Sequence, residues 1–327
     1  MLALVLTDTL RVPFDQGPAL SDGRAAAQTA EAAGTPADPT RSLTPDDPLR
    51  LWIAGDSLAG SLGPSLGAMT AETGVVQPVF DSRISSGLTS PEFFDWPEHT
   101  AEELARLQPE AVVFEIGAND AKVLPDDDSW QGGYAQRVDE MMSLLVGNGR
   151  DVYWVGVPTM SDDDFSERAR EVNQVVQQVA AAYPDVTYVD AYTLFADDDG
   201  DYSSSVAMED GDIETVRADD GVHLTAEGGD LLARAVFYRL DATWGITEQA
   251  VPGQVKEVVQ TEGSSQVEGT YRPTRSSSSN EPSGDSSSDS SNTTTTTTAA
   301  STTTTSSTTS TSTTTTTTAP ANPLQGG

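Results

Sequence analysis

The sequence predicts an α/β domain in three layers, a parallel sheet with helices on both faces. Two observations carry this. Short apolar runs rich in β-branched and aromatic residues alternate with longer stretches of helical periodicity. The runs also end in Gly, Asp or Pro, the punctuation expected where a strand gives way to a loop. Strands alternating with helices are the pattern of parallel sheets covered on both sides.

Five strands are expected, at Arg50–Ala54, Val75–Phe80, Ala111–Ile116, Asp151–Val157 and Val186–Asp190. The second is the least regular, because Gln77 and Pro78 interrupt it. Helices are expected after Ser57 and over Pro97–Leu107, Tyr134–Val146, Phe165–Tyr183 and Thr225–Leu240. Val172, Val175, Val176 and Val179 fall on one face of the fourth, and Leu231, Leu232, Ala235 and Val236 on one face of the last. Such stripes read as core. Residues 196–220 form an acidic insert without clear periodicity. The sequence contains no internal repeat.

Composition divides the chain of 327 residues into four parts. Residues 1–48 read as an N-terminal segment and a Pro/Ala-rich linker, 49–245 as the folded domain, 246–275 as a polar extension and 276–327 as a tail. Ser and Thr make up 34 of the 52 tail residues, too little apolar surface to offset the entropy of ordering. This part is expected to be disordered, and it resembles an exported, O-glycosylated stalk. Met1–Leu6 is apolar but far shorter than a membrane span, and it lacks the basic start of a signal peptide. It reads either as an ordinary apolar segment or, the reading the tail favours, as the remnant of an anchor or signal lying upstream of residue 1.

The net charge of −34 excludes nucleic acid as a partner, and an anionic lipid surface with it. No cysteine is present, so disulfides, thiolate metal sites and a cysteine nucleophile are excluded. No phosphate-cradling loop or zinc motif occurs, and no cofactor is expected. Asp197–Asp201 hints at calcium, but the loop lacks acids at Phe195 and Ala207, and an acidic loop tip is the simpler reading.

The chemistry gathers around Gly55-Asp56-Ser57-Leu58, at the carboxyl end of the first strand, where open α/β sheets bind ligands. Taken alone, Ser57 reads as the cap of the following helix. A serine nucleophile needs a base, and the chain has two histidines. His99, in a helix's first turn among acids, reads as solvated or capping. His223 follows Asp219-Asp220-Gly221-Val222, so a tight turn through Gly221 lets a carboxylate orient its ring, with Asp220 better spaced than Asp219. Donors for an oxyanion are offered at Gly87 and at Asn119. Singly, Gly87 reads as a turn and Asn119-Asp120 as a helix cap. Their shared position at strand ends points to function.

Gly55-Asp56-Ser57-Leu58, Gly87, Gly117-Ala118-Asn119-Asp120 and Asp220-Gly221-Val222-His223 resemble, in order, the four blocks of the SGNH (GDSL-type) hydrolases. The similarity spans roughly Leu49 to Leu240 and is nearest to an uncharacterised bacterial cell-envelope branch. It implies a flavodoxin-like fold with a five-stranded parallel sheet. It further implies Ser57 as nucleophile, His223 as base, Asp220 as its partner, and an oxyanion hole of the Ser57 and Gly87 N–H groups with the Asn119 amide. The implied activity is ester hydrolysis on a small-molecule or carbohydrate ester, extracellular or at the bacterial cell surface. Two alternatives share the fold: an acyltransferase using the same acyl-enzyme, and a non-catalytic carbohydrate-binding module. The pattern Gly-x-Ser-x-Gly is not met, because Ala59 stands at its last position.

Overall fold

The structure is a computed structural model that describes residues 41–125, 127–207 and 211–265. The tail and most of the N-terminal segment lie outside the described residues. β1 (Leu49–Gly55) sits mid-sheet, flanked by β2 (Val76–Ser82) and β3 (Ala111–Glu115). β4 (Asp151–Val155) and β5 (Val186–Val189) extend one side, and β8 (Val259–Gln260) pairs with the outer side of β2. The order is β5-β4-β3-β1-β2-β8, and every pairing is parallel.

The sheet therefore has six strands rather than the expected five. The sixth is two residues of the polar extension, too short and too exposed to carry an apolar signature. That extension is also held by Val251 N–H to the Thr73 carbonyl (2.8 Å) and Thr261 N–H to the Phe80 carbonyl (2.9 Å). At the other end, Arg41 in the expected linker clasps Glu110 at 2.6 and 2.7 Å, and Leu43 is buried.

Alternation along the strands builds the layers. Trp52, Ala54, Val112, Phe114, Val152 and Trp154 point to one face. There they meet α2 (Trp96–Leu107), α4 (Gln131–Leu145) and α5 (Asp163–Ala180). Leu51, Ile53, Val113, Tyr153 and Val155 point to the other face, against α1 (Ser57–Glu72) and α7 (Ala226–Trp244). Pro78 is tolerated because neighbouring residues of the same parity, Phe80 and Ser82, offer their carbonyls to the extension. Its missing N–H thus falls on the side away from β1.

Shorter elements went unsignalled: α3 (Ala118–Val123), α6 (Ala191–Leu194) and α8 (Ile246–Gln249). The acidic insert holds a two-stranded antiparallel pair, β6 (Ser205–Ala207) and β7 (Ile213–Thr215). No helix among the described residues is long and apolar enough to cross a membrane.

Candidate active site

Ser57 is the first residue of α1, directly beyond β1. The cap of that helix is Asp56, whose side chain accepts from Leu58 N–H at 2.9 Å. The capping role considered for Ser57 therefore belongs to its neighbour, which leaves the hydroxyl uncommitted to the helix. The second oxygen of Asp56 accepts from Gly117 N–H at 3.2 Å, tying the turn after β3 to the turn after β1. Burial pushes the Asp56 carboxyl up to about 7, against the opposing pull of the Leu58 and Gly117 amides, and the nearby Asp120 adds to the rise.

His223 reaches Ser57 from the loop before α7. Its Nε2 lies 2.9 Å from Ser57 Oγ, and its Nδ1 lies 2.6 Å from Asp220 Oδ2. The other Asp220 oxygen accepts from Val222 N–H and His223 N–H, both at 2.9 Å. This tight loop turns through Gly221 at φ +67, a left-handed conformation open to glycine, with Ser161 Oγ where a Cβ would stand. Partial burial works to raise the Asp220 carboxyl, but the hydrogen bonds from His223 and Val222 overcome it and hold it at about 2. An ionised carboxylate only accepts, so Nδ1 carries the hydrogen and Nε2 is left to take one from Ser57. Asp219 is exposed, and the carboxylate that the structure places within hydrogen-bond distance of the ring is that of Asp220.

Two turns converge beside this chain. Asn119, at the start of α3, donates through Nδ2 to the Ser86 carbonyl at 2.9 Å, so it stands against the loop that carries Gly87. The Ser57 N–H, at the amino end of a helix, has no intrahelical acceptor. Ser57, Asp220 and His223 are thus directly linked, and Asn119 and Gly87 belong to one packed loop pair.

Residues that the sequence did not single out hold this arrangement. Arg217 is buried at 2% exposure, and burial lowers its guanidinium to about 10. It donates to the carbonyls of Thr159 (2.6 Å) and Val222 (2.8 Å), fixing the His223 loop against the segment that follows β4. Phe195 and Tyr202 present ring faces to it at 5.7 and 5.1 Å. Glu115, at the end of β3, is fully buried with neither carboxyl oxygen hydrogen-bonded among the described residues. Burial drives its pKa well above the usual carboxylate range, the Asp56 charge adds to this and Arg217 opposes it. A glutamate at the end of the apolar run Ala111–Ile116 was the available signal.

His99 corrects its sequence reading. It is neither solvated nor a cap: Nε2 lies 2.6 Å from the buried Asp81, and the rings of Phe94 and Trp96 pack at 4.9 and 5.8 Å. The acidic loop at Asp197 folds on itself, with Asp197 Oδ1 accepting from Asp199 and Asp201 N–H. Among the described residues no group of three or more His, Asp or Glu could hold a metal ion.

Residues 50–239 match the family described as "Protein of unknown function (DUF459)", and the chain belongs to that family. Among solved structures, the chain is similar to a lipase/acylhydrolase from Enterococcus faecalis, at 18% identity and TM-score 0.45, covering 62% of this chain and 98% of that one. It is also similar to a GDSL-like lipase from Bacteroides thetaiotaomicron, at 14% identity and TM-score 0.42, covering 58% and 87%. A catalytic mutant of an acetylxylan esterase from Geobacillus stearothermophilus is similar at 16% identity and TM-score 0.42, covering 59% and 94%. No curated protein matches the sequence.

Proposed function

We propose that the protein is a serine ester hydrolase of the SGNH type. One observation carries this reading: the continuous chain from Asp220 through His223 to Ser57, with contacts of 2.6 and 2.9 Å. Nucleophile, base and orienting carboxylate within hydrogen-bond reach are what an activated serine requires.

In the proposed reaction Ser57 Oγ attacks the acyl carbon while its proton passes to His223 Nε2. The carbonyl electrons move onto oxygen, which is met by the N–H groups of Ser57 and Gly87 and by the Asn119 amide. Asp220 stabilises the imidazolium through Nδ1 without taking its proton. Collapse of the adduct breaks the bond to the alkoxy oxygen, and His223 protonates the departing alcohol. Water, deprotonated by His223, then cleaves the acyl-enzyme and returns Ser57 to its hydroxyl form. No metal takes part in this scheme.

The finer reading is a small acyl ester on a carbohydrate of the cell envelope or its surroundings, handled outside the cell or at its surface. Support comes from the Ser/Thr-rich segment beyond Arg275 and from the acidic composition. The first test is turnover of short-chain acyl esters by the purified protein beside Ser57→Ala, with a fluorophosphonate probe as second readout. Turnover and labelling that both vanish in Ser57→Ala are expected. A Ser57→Ala protein that still turns over ester would eliminate the nucleophile. A wild-type protein silent to the probe but retained on a polysaccharide column would favour a binding module instead.

A further inference from the structure

Resting on the hydrolase reading, we propose that Asp120 is a positioning residue that aims the Gly87 N–H at the substrate oxygen. The observation is the pattern of hydrogen bonds around that glycine. Its neighbours are all fastened. Ser86 N–H donates to the Arg83 carbonyl at 3.2 Å, and the Ser86 carbonyl accepts from Asn119 at 2.9 Å. Ser86 Oγ accepts from Trp96 Nε1 at 3.0 Å, and the Leu88 carbonyl accepts from Arg137 at 3.0 Å.

Asp120 fastens the amides of the far side. One of its oxygens accepts from Leu88 N–H at 3.0 Å, the other from Thr89 N–H at 2.8 Å and Thr89 Oγ1 at 2.6 Å. Among the described residues the amides of Ser86, Leu88 and Thr89 are all committed, and that of Gly87 is not. A peptide clamped on both sides cannot rotate, so its one uncommitted donor keeps a fixed direction.

Asn119 and Asp120 thus divide the work. The first bonds the residue before Gly87, the second bonds the two residues after it, and both lie in the first turn of α3. The side chain of Asp120 is fully buried, so its three bonds are not shared with solvent. Contact is close enough to dictate the residue between them: a Cβ on Gly87 would stand 2.7 Å from Asp120 Oδ1. Donors are effective in catalysis when they need no reorganisation as charge develops, and one such donor is typically worth a factor of about 100 to 1,000 in kcat. Loosening the clamp should forfeit part of that factor without touching the ground-state substrate.

The test compares wild type, Asp120→Asn and Thr89→Val. Asp120→Asn keeps the shape but turns one acceptor oxygen into a donor facing the loop amides. Thr89→Val removes only the hydroxyl bond and serves where the first variant fails to fold. Amide exchange at Leu88 and Thr89 should quicken in Asp120→Asn. Its kcat should fall about 10- to 100-fold with KM within about twofold. A trifluoromethyl ketone, whose Ser57 adduct carries an oxyanion, should lose affinity by the same factor, and Thr89→Val should shift each readout less in the same direction. A kcat loss with ketone affinity unchanged, or quickened exchange with kcat unchanged, overturns the positioning role. A wild type that neither turns over esters nor binds the ketone overturns the hydrolase reading as well, while the exchange data report on the clamp independently.

Discussion

The chain has two histidines, and each lies 2.6 Å from an aspartate, yet the two pairs are built for different ends. His223 meets Asp220 through Nδ1 and turns Nε2 to a serine hydroxyl. His99 spends Nε2 on Asp81, and its ring is enclosed by Phe94 and Trp96, with Trp52 further off at 6.5 Å. The carboxylates differ as well. The Asp220 side chain is 51% exposed, whereas that of Asp81 is fully buried and also faces Arg83 at 3.0 Å. A His–Asp contact is therefore not a site by itself. On the proposed hydrolase reading, what faces the second ring nitrogen decides whether the pair does chemistry or fills a core.

The sharpest way to break this contrast is to exchange the losses. Ser57→Ala or His223→Asn should lower ester turnover by about 10,000-fold or more with little change in thermal midpoint. His99→Asn should do the reverse, keeping activity within about threefold while costing about 1–3 kcal/mol of stability, because Asp81 loses a buried partner. Denaturant melts beside initial rates read both. An inactive, fully stable His99→Asn protein would undo the distinction. Next in size is Asp220→Asn, expected to cost about 1,000- to 10,000-fold in kcat by releasing the wrong ring tautomer, with KM nearly unchanged.

Acidity separates the aspartates of the site further. The folded-state pKa of Asp56 is raised, to about 7, so its contribution is full below the unfolded carboxyl value and is lost as pH rises through 7. Wild type should lose on the order of a few kcal/mol between pH 4 and 7 relative to Asp56→Asn. Asp220 has the opposite sign. Its folded pKa is depressed to about 2, so its contribution stands above the unfolded value and is lost as pH falls through 2. With half its side chain in solvent, screening limits this to about 1 kcal/mol between pH 4 and 2, the smallest effect predicted here. Melts of wild type and Asp220→Asn at those two pH values measure it.

The sequence revealed what depends on local pattern and concealed what depends on assembly. Apolar runs exposed β1, β3 and β4, because strands buried on both faces read as continuous hydrophobic stretches. β5, half-exposed at the edge of the sheet, showed through its β-branched and aromatic residues Val186, Thr187, Tyr188 and Val189. Even β2 was legible, since Pro78 falls where no ladder bond is lost. β6 and β7 were not, because their residues are half-buried or exposed and nothing forces alternation on them. Ser57, Asp220 and His223 could be assembled from spacing, since a nucleophile's needs are few and the histidines were only two. Arg217 and Glu115 could not. Their significance comes from burial against each other's surroundings, and neither belongs to a recognisable block. The reading of His99 failed for the same reason: its position among acids suggested water, but Trp52, Phe94 and Trp96 come from β1, the preceding loop and α2.

The sixth strand has a practical consequence for anyone handling the protein. The family match ends at residue 239, and the apolar periodicity of the last helix fades soon after. A fragment trimmed to that limit would strip Val259 and Gln260 from the sheet and leave the carbonyls of Phe80 and Ser82 unanswered on a newly opened border. A bare border of this kind is a template for other chains, and such a fragment should precipitate or pair with itself where the longer protein stays dispersed. The natural cut lies beyond Ser265, whose N–H still meets the Ser82 carbonyl at 3.2 Å.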